Sequence, residues 1–144
     1  MYPLVYLLIA LVSSYVLNRY VPVSEIVPEM IRYLGAIPVL AAVWIVGQSA
    51  RLFQKQDTTV MPYERSSALV TEGFYEHSRN PMYLAMLLLL VGVAWLLGSI
   101  TAFLPVPLMY LVLRYSIIAM EEELLEETFG EEYLAYKRNV RRWL

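Results

Sequence analysis

Long uncharged runs are the main feature of the pattern of hydrophobic and polar positions along the chain. Residues 1–18 and 33–50 contain no Asp, Glu, Lys or Arg. Each run approaches the roughly 20 residues with which a helix crosses a hydrocarbon core of ~30 Å. Both runs are therefore predicted to be transmembrane helices.

A third uncharged run covers residues 80–113. At ~1.5 Å per residue, a single helix of this length would far exceed the thickness of a bilayer. Gly98 and Ser99 favour a turn between two helices, and Pro105 and Pro107 are expected to kink or shorten the second one. The predicted fold class is an all-α integral membrane protein with four transmembrane helices, at about residues 2–18, 31–51, 81–97 and 100–118.

Two polar segments complete the single predicted domain, residues 1–144. Residues 52–79 form a loop that is long enough to suggest a functional role. Residues 119–142 are predicted to form an amphipathic helix outside the membrane, in which Gly130 marks a bend. Its apolar positions recur at intervals of three and four, as one helical face requires: Leu125, Phe129, Tyr133, Tyr136 and Val140.

Composition agrees with a membrane protein and narrows its chemistry. The chain is 59% hydrophobic and only 17% charged, outside the usual balance of soluble domains. The absence of cysteine excludes disulfides, zinc–thiolate sites and thiol nucleophiles. A net charge of -2 gives no support for nucleic-acid binding.

The distribution of Lys and Arg predicts the orientation in the membrane. Residues 51–79 carry four such residues and residues 137–142 another four, whereas the opposite side has only Arg19 and Arg32. Positive residues near the spans favour the cytoplasmic side, so both termini are predicted to be cytoplasmic. A cleaved signal peptide is the alternative for the first run, but a basic region before it and a small-residue cleavage site after it are missing.

The border at Arg79, Asn80 and Pro81 has the residues of a ligand site. Pro81 suits the first turn of a helix and Asn80 suits the N-cap, so the third span is predicted to begin here. The positive end of the helix dipole and Arg79 could together hold a carboxylate. In the simpler alternative, Asn80 only caps the helix and Arg79 only extends to the interface.

Glu121 and Glu122 follow the fourth span directly and are predicted to lie near the same surface. The alternative is that they only form the solvated acidic start of a helix. Tyr75 and Tyr83 flank the first border and could be ordinary interfacial aromatics. His77 is expected to be an exposed loop residue, and no metal site is expected, because no carboxylate is spaced to join this sole histidine.

These residues lie in two motifs that resemble a known family. "LVTEGFYEHSRNPMYLAM" is similar to the "LVTxGxYxxxRHPxYxG" signature of the isoprenylcysteine carboxyl methyltransferases and their bacterial relatives. "EEELLEETFGEEYLAYKRNV" is similar to the "EExxLxxxFGxxYxxYxxxV" of their tail, and the phosphatidylethanolamine N-methyltransferases share a Glu-Glu element. The resemblance covers roughly residues 55–142.

The resemblance implies methyl transfer from S-adenosyl-L-methionine at a membrane interface, with the active site on the cytoplasmic side. The cofactor-binding positions that it implies are Ser67, Ala68, Leu69, Val70, Tyr75, Asn80, Pro81, Met82, Tyr83 and Glu121. The catalytic residue is left open, with Tyr83, Glu121 and Arg79 as candidates. The sequence contains no glycine-rich nucleotide-binding fingerprint of the Rossmann type, so a nucleoside cofactor would need another binding site such as this one.

The chain departs from this family at two positions. Asn80 stands where the best-known members carry His, and an amide cannot act as a titrating base near neutral pH. Ile117 stands where the prenylcysteine enzymes have a basic residue implicated in recognising the substrate carboxylate, while Arg114 lies nearly one turn earlier. Arg114 and Glu122 are therefore the candidates for substrate binding, and the acceptor is left open.

A lipophilic acceptor with a carboxylate, amine or thiol head group is expected. Four short helices cannot enclose both a nucleoside cofactor and a large soluble substrate, whereas an amphipathic molecule can leave its tail in the bilayer. Two other functions compete with methyl transfer. The chain could instead be a reductase related to the NADPH-dependent sterol reductases, or a membrane scaffold without catalytic activity.

Overall fold

The computed structural model describes residues 3–55 and 68–144, whose regular secondary structure is helical apart from one isolated bridge, Glu25 to Ser99. The α-helices are α1 (Pro3–Tyr20), α2 (Ala36–Lys55), α3 (Pro81–Leu97), α4 (Pro105–Val112), α5 (Ile118–Phe129) and α6 (Glu131–Asn139). A π-helical turn, Leu113–Ile117, joins α4 to α5. The 3₁₀ turns are Glu29–Gly35, Gly73–Glu76 and Ile100–Phe103.

Three helical stretches of the described chain are long and apolar enough to cross a membrane: Pro3–Tyr20, Glu29–Lys55 and Ile100–Phe129. The helix between the last two, α3, is apolar throughout but has 17 residues. The predicted all-α class is therefore confirmed for the described residues, in which three helices, rather than the four predicted, reach spanning length.

The break inside the long apolar run lies where the sequence predicted it. Helix α3 ends at Leu97, and Gly98 follows it in a left-handed conformation. Pro105 lies in the first turn of α4, where its missing N–H removes no helical hydrogen bond. The prolines therefore shorten α4 by setting its start.

The core lies between α1, α3 and the continuous stretch from α4 to α5. Apolar side chains from these helices form one buried cluster: Leu7, Ala10, Tyr83, Met86, Leu90, Met109, Leu113, Ile117 and Ile118. Many apolar side chains of α1 and α2 remain exposed, for example Leu8 and Leu40. An apolar outer surface of this kind suits contact with lipid.

The start of α2 and the 3₁₀ turn before it pack against α3 through a close contact between two glycines, Gly35 and Gly92. A Cβ atom added at Gly92 would lie 2.8 Å from the Gly35 carbonyl oxygen and 2.7 Å from a methyl group of Val39. Small residues at such a contact let the backbones of two membrane helices approach each other. The glycines thus determine how closely the N-terminal half of α2 packs on α3.

The C-terminal segment differs from the single amphipathic helix predicted over residues 119–142. Gly130, with φ of +53°, separates α5 from α6, and α6 ends at Asn139. Residues 140–144 are not helical. The predicted bend at Gly130 is thus a helix break, and the last residues of the chain follow a different path, which brings them to the start of α3.

Candidate active site

The N-terminal end of α3 is held by the C-terminal tail of the chain. The Arg79 backbone N–H donates to the Arg141 carbonyl oxygen (3.0 Å), and Asn80 Nδ2 donates to the Arg142 carbonyl oxygen (2.9 Å). Asn80 occupies the N-cap position, but its side chain makes no capping bond to the helix. The sequence therefore predicted its position correctly and its hydrogen-bond partner incorrectly.

Three charged side chains, Arg79, Glu122 and Arg142, form an ion-pair cluster that we call the tail clamp. Arg79 Nη2 lies 2.7 Å from Glu122 Oε1, and Arg142 Nη2 lies 2.6 Å from Glu122 Oε2. Arg79 Nη1 also donates to the carbonyl oxygens of Lys137 (3.1 Å) and Val140 (2.8 Å) at the end of α6. The Glu122 and Arg79 side chains are only 7% and 8% exposed.

The tail clamp changes the interpretation of two predicted site residues. Glu122 was a candidate for substrate binding and Arg79 a candidate for catalysis. Both Glu122 oxygens and both terminal nitrogens of Arg79 are engaged within the protein, and only the buried Nε of Arg79 has no hydrogen-bond partner among the described residues. The hydrogen bonds that Arg142 donates to Glu122 raise the pKa of Arg142, so its charge is retained. Because a buried carboxylate between two guanidinium groups is satisfied by them, this arrangement favours a positioning role for Arg79 and Glu122.

Glu121, the neighbour of Glu122, has a different environment. Its side chain accepts a hydrogen bond from Tyr83, which lies in the first turn of α3. Its Oε2 atom is buried and has no hydrogen-bond partner among the described residues. A buried carboxylate oxygen without a donor is costly, so this atom is suited to accept a hydrogen bond from a ligand.

Tyr75 lies beside Glu121 on the 3₁₀ turn Gly73–Glu76. Burial, and secondarily the Glu121 carboxylate, raises the pKa of the Tyr75 phenol well above its usual range. The Tyr75 ring packs edge-on against Phe53 of α2, with ring centroids 5.6 Å apart. Its backbone carbonyl oxygen accepts a hydrogen bond from the Tyr136 hydroxyl (2.6 Å), so α6 also holds this turn. Burial raises the pKa of Tyr136 to about 12, so its hydroxyl stays protonated as a donor at neutral pH.

The other predicted cofactor-binding residues belong to the chain segments that adjoin Tyr75 and Tyr83. Val70 and Pro81 are buried, while Ala68, Leu69 and Met82 are half-buried. Residues 68–70 lead into the turn that carries Tyr75, and Pro81 and Met82 begin α3. Ser67 lies outside the described residues. The structure thus brings Tyr75, Tyr83 and Glu121 together.

Arg114 lies on the π-helical turn, which the sequence did not predict. Its Nη1 atom donates to the Tyr110 hydroxyl (2.6 Å), and its Nε atom is buried without a partner in the described part of the chain. The Tyr110 ring packs against Trp143 of the tail, with ring centroids 5.4 Å apart. Turns of π type are frequent at functional sites, and no local sequence signal marks this one.

Sequence reasoning missed the contribution of the tail to the site. Arg142 binds Glu122, Tyr136 binds the Tyr75 carbonyl, and Trp143 packs against Tyr110. Tyr136 is part of the tail motif that resembles the family, but the motif did not indicate which residue Tyr136 contacts. Within residues 3–55 and 68–144, no group of three or more His, Cys, Asp or Glu residues could hold a metal ion.

Comparisons with known proteins agree with this arrangement. The family of phospholipid methyltransferases matches residues 30–132, which include both sides of the site. An uncharacterised protein of Haemophilus influenzae is 48% identical over 63 residues, which are 44% of this chain and 100% of that protein. No solved structure matches. The family expected from the two motifs is therefore confirmed, and the chain belongs to the phospholipid methyltransferase family.

Proposed function

We propose that the protein transfers a methyl group from S-adenosyl-L-methionine to the polar head of a lipophilic acceptor at the membrane interface. Membership of the phospholipid methyltransferase family implies membrane methyltransferase activity in general. The cofactor, the class of acceptor and the residue roles below are our proposals.

The observation that carries the proposal is the buried Oε2 atom of Glu121, which lies beside Tyr83 and Tyr75 and has no hydrogen-bond partner in the described part of the chain. S-adenosyl-L-methionine carries an ammonium group and ribose hydroxyls, each of which could donate to this oxygen. Among the described residues, no side-chain hydrogen bond caps α3, which leaves its first turn suited to the methionine carboxylate. The residues present therefore fit this cofactor.

The two neighbouring glutamates have different roles in this proposal. Glu122 holds Arg79 and Arg142 and thereby the start of α3 and the tail, while Glu121 binds the ligand. Arg79 is a positioning residue, because its guanidinium contacts Glu122 and the end of α6. The clamp thus determines where Glu121 lies relative to Tyr83.

When bound, S-adenosyl-L-methionine supplies a methyl group already activated on a positively charged sulfur. The protein has to align the acceptor and exclude water, and no covalent enzyme intermediate is required. A carboxylate acceptor is nucleophilic as it stands. An amine or thiol has to lose a proton, for which Glu121 and Tyr83 are the candidates near the site, since Asn80 cannot titrate there.

The acceptor is proposed to enter from the bilayer on the cytoplasmic side. Four spans, with α3 as a short third one and both termini cytoplasmic, place Tyr75, Tyr83 and Glu121 near the level of the lipid head groups. Arg114, with its buried Nε atom, is the candidate contact for an anionic part of the acceptor. Tyr110 and Trp143 supply an aromatic wall beside it.

Binding of radiolabelled S-adenosyl-L-methionine to the detergent-purified protein tests the proposal directly. We expect saturable binding that unlabelled S-adenosyl-L-homocysteine displaces, and no binding of labelled NADPH under the same conditions. Saturable binding of NADPH alone would instead indicate a reductase, and binding of neither would favour a scaffold.

A further inference from the structure

An open groove lies between the C-terminal half of α2 and the 3₁₀ turn Gly73–Glu76. Its volume is about 420 Å³. Its lining residues are Trp44, Gln48, Arg51, Leu52, Lys55, Gly73, Phe74 and His77. None of these residues belongs to the tail clamp or to the group around Glu121.

The lining combines an apolar part with a basic part. Trp44, which is 60% exposed, packs edge-on against Phe74 with ring centroids 5.0 Å apart. Arg51 and Lys55 lie about two and three helical turns beyond Trp44, at the C-terminal end of α2, and both are exposed. The lining thus has an aromatic pair, Trp44 and Phe74, on one side and two cations near the C-terminal end of α2, with Leu52 between the cations in sequence.

Among the described residues, no acidic side chain lines this groove. Glu76, on the adjoining turn, is not a lining residue, and its carboxylate accepts a hydrogen bond from the Gly73 backbone N–H (3.1 Å). Among the described residues, neither Arg51 nor Lys55 is within ion-pair distance of a carboxylate. The groove thus presents two cations that have no anionic partner in the described chain.

We propose that this groove binds the head group of an anionic phospholipid, with the phosphate at Arg51 and Lys55 and the upper acyl chains along Trp44 and Leu52. Charge complementarity favours an anionic head group over a zwitterionic one. The order of the lining residues favours a lipid over a soluble anion, because the apolar part lies on the bilayer side of the cations in the predicted orientation.

This lipid is not the methyl acceptor of the proposed reaction. Phe74 and His77 line the groove, whereas Tyr75 between them is buried beside Glu121. A lipid in the groove would therefore contact the same short turn that carries Tyr75, on another side. Binding at the groove is independent of methyl transfer and can be measured without it.

The test is retention of phosphatidylglycerol over phosphatidylcholine by the full chain, purified from mixed vesicles of the two lipids and measured by native mass spectrometry. A cation near the membrane surface contributes about fivefold to binding of an anionic lipid. We therefore expect the wild type to retain phosphatidylglycerol selectively. Arg51→Gln with Lys55→Gln should lower that selectivity about 25-fold. The matched control, Arg138→Gln with Arg141→Gln, removes two exposed cations of the tail and should leave it unchanged.

An equal loss of phosphatidylglycerol selectivity in both double variants would contradict the proposal, because any exposed cation would then attract the lipid. Unchanged selectivity in both variants would also contradict it, because Arg51 and Lys55 would then make no contribution. A second measurement leaves Arg51 and Lys55 unchanged and so does not depend on the folding of the double variant. Brominated phosphatidylglycerol should quench tryptophan fluorescence more than brominated phosphatidylcholine, and Trp44→Phe should abolish the difference. Displacement by soluble glycerol phosphate at the same concentration as the lipid would overturn the assignment to a lipid.

Discussion

Replacing Glu122 by Gln tests whether the tail clamp holds the C-terminal tail against α3. The substitution keeps the shape of the side chain and removes the charge that Arg79 and Arg142 share. Arg79 would remain 8% exposed, with two backbone carbonyl oxygens and the neutral amide oxygen of Gln as acceptors but no counter-charge. Breaking a buried ion pair by removing one partner costs about 3–5 kcal/mol.

Because the two carbonyl contacts of Arg79 remain, we expect the free energy of unfolding to fall by about 3 kcal/mol, the lower end of this range. Domains have a total stability of about 5–15 kcal/mol, so this loss is a large fraction of the whole. At roughly 3–5 °C per kcal/mol for a chain of this size, the midpoint of thermal unfolding should fall by about 10 °C or more.

The assay is thermal unfolding of the detergent-purified protein, followed by tryptophan fluorescence, to which Trp143 in the tail contributes. Glu123→Gln is the matched control, because Glu123 is the exposed neighbour on the same helix and should change stability by no more than about 0.5 kcal/mol. If Glu122→Gln and Glu123→Gln unfold at the same temperature, the clamp does not stabilise the fold and its proposed role is wrong.

Three further predictions concern the membrane fold and the acceptor. Gly92→Ala should lower the midpoint of thermal unfolding, because its Cβ would lie 2.8 Å from the Gly35 carbonyl oxygen. The control Gly47→Ala, whose Cβ would have nothing within 4 Å, should leave the midpoint unchanged or raise it slightly. Equal midpoints for the two variants would contradict the close packing of α2 on α3. Cysteines introduced at Met30 and Glu127, both exposed, should react with an impermeant reagent from opposite sides of the membrane, and labelling of both from one side would refute the four-span topology. With matched head groups, kcat/KM should rise about fourfold per added CH₂ of the acceptor, since each buried CH₂ contributes ~0.8 kcal/mol; equal values for short and long chains would indicate a soluble acceptor.

Much of the fold could be predicted from the sequence because the membrane imposes simple rules of length and composition. The uncharged runs predicted the helices, and Gly98 predicted the break before the fourth one. The path of the tail could not be predicted, since it depends on contacts between residues 58 to 64 positions apart, such as that of Asn80 with Arg142. The helix break at Gly130 then redirects a segment whose apolar period alone indicates one helix.

The same limit applied to the site. The motifs identified Glu121 and Glu122 as a pair, but adjacent residues on a helix point about 100° apart and enter different environments. Only the fold shows that Glu122 faces Arg79 and Arg142 while Glu121 faces Tyr83. Likewise, Arg114 could be noted as a basic residue near a span, but the π-helical turn that presents it has no local signature.

The central claim, that Glu121 binds S-adenosyl-L-methionine, is tested most directly by equilibrium binding of the labelled cofactor to Glu121→Gln and Glu123→Gln protein. Removing a charged hydrogen bond costs ~1.5–3 kcal/mol, so Glu121→Gln should bind roughly ten- to a hundredfold more weakly than the wild type. Glu123→Gln should bind like the wild type, because its exposed side chain lies outside the site. Equal affinity of the two variants for the cofactor would contradict the account.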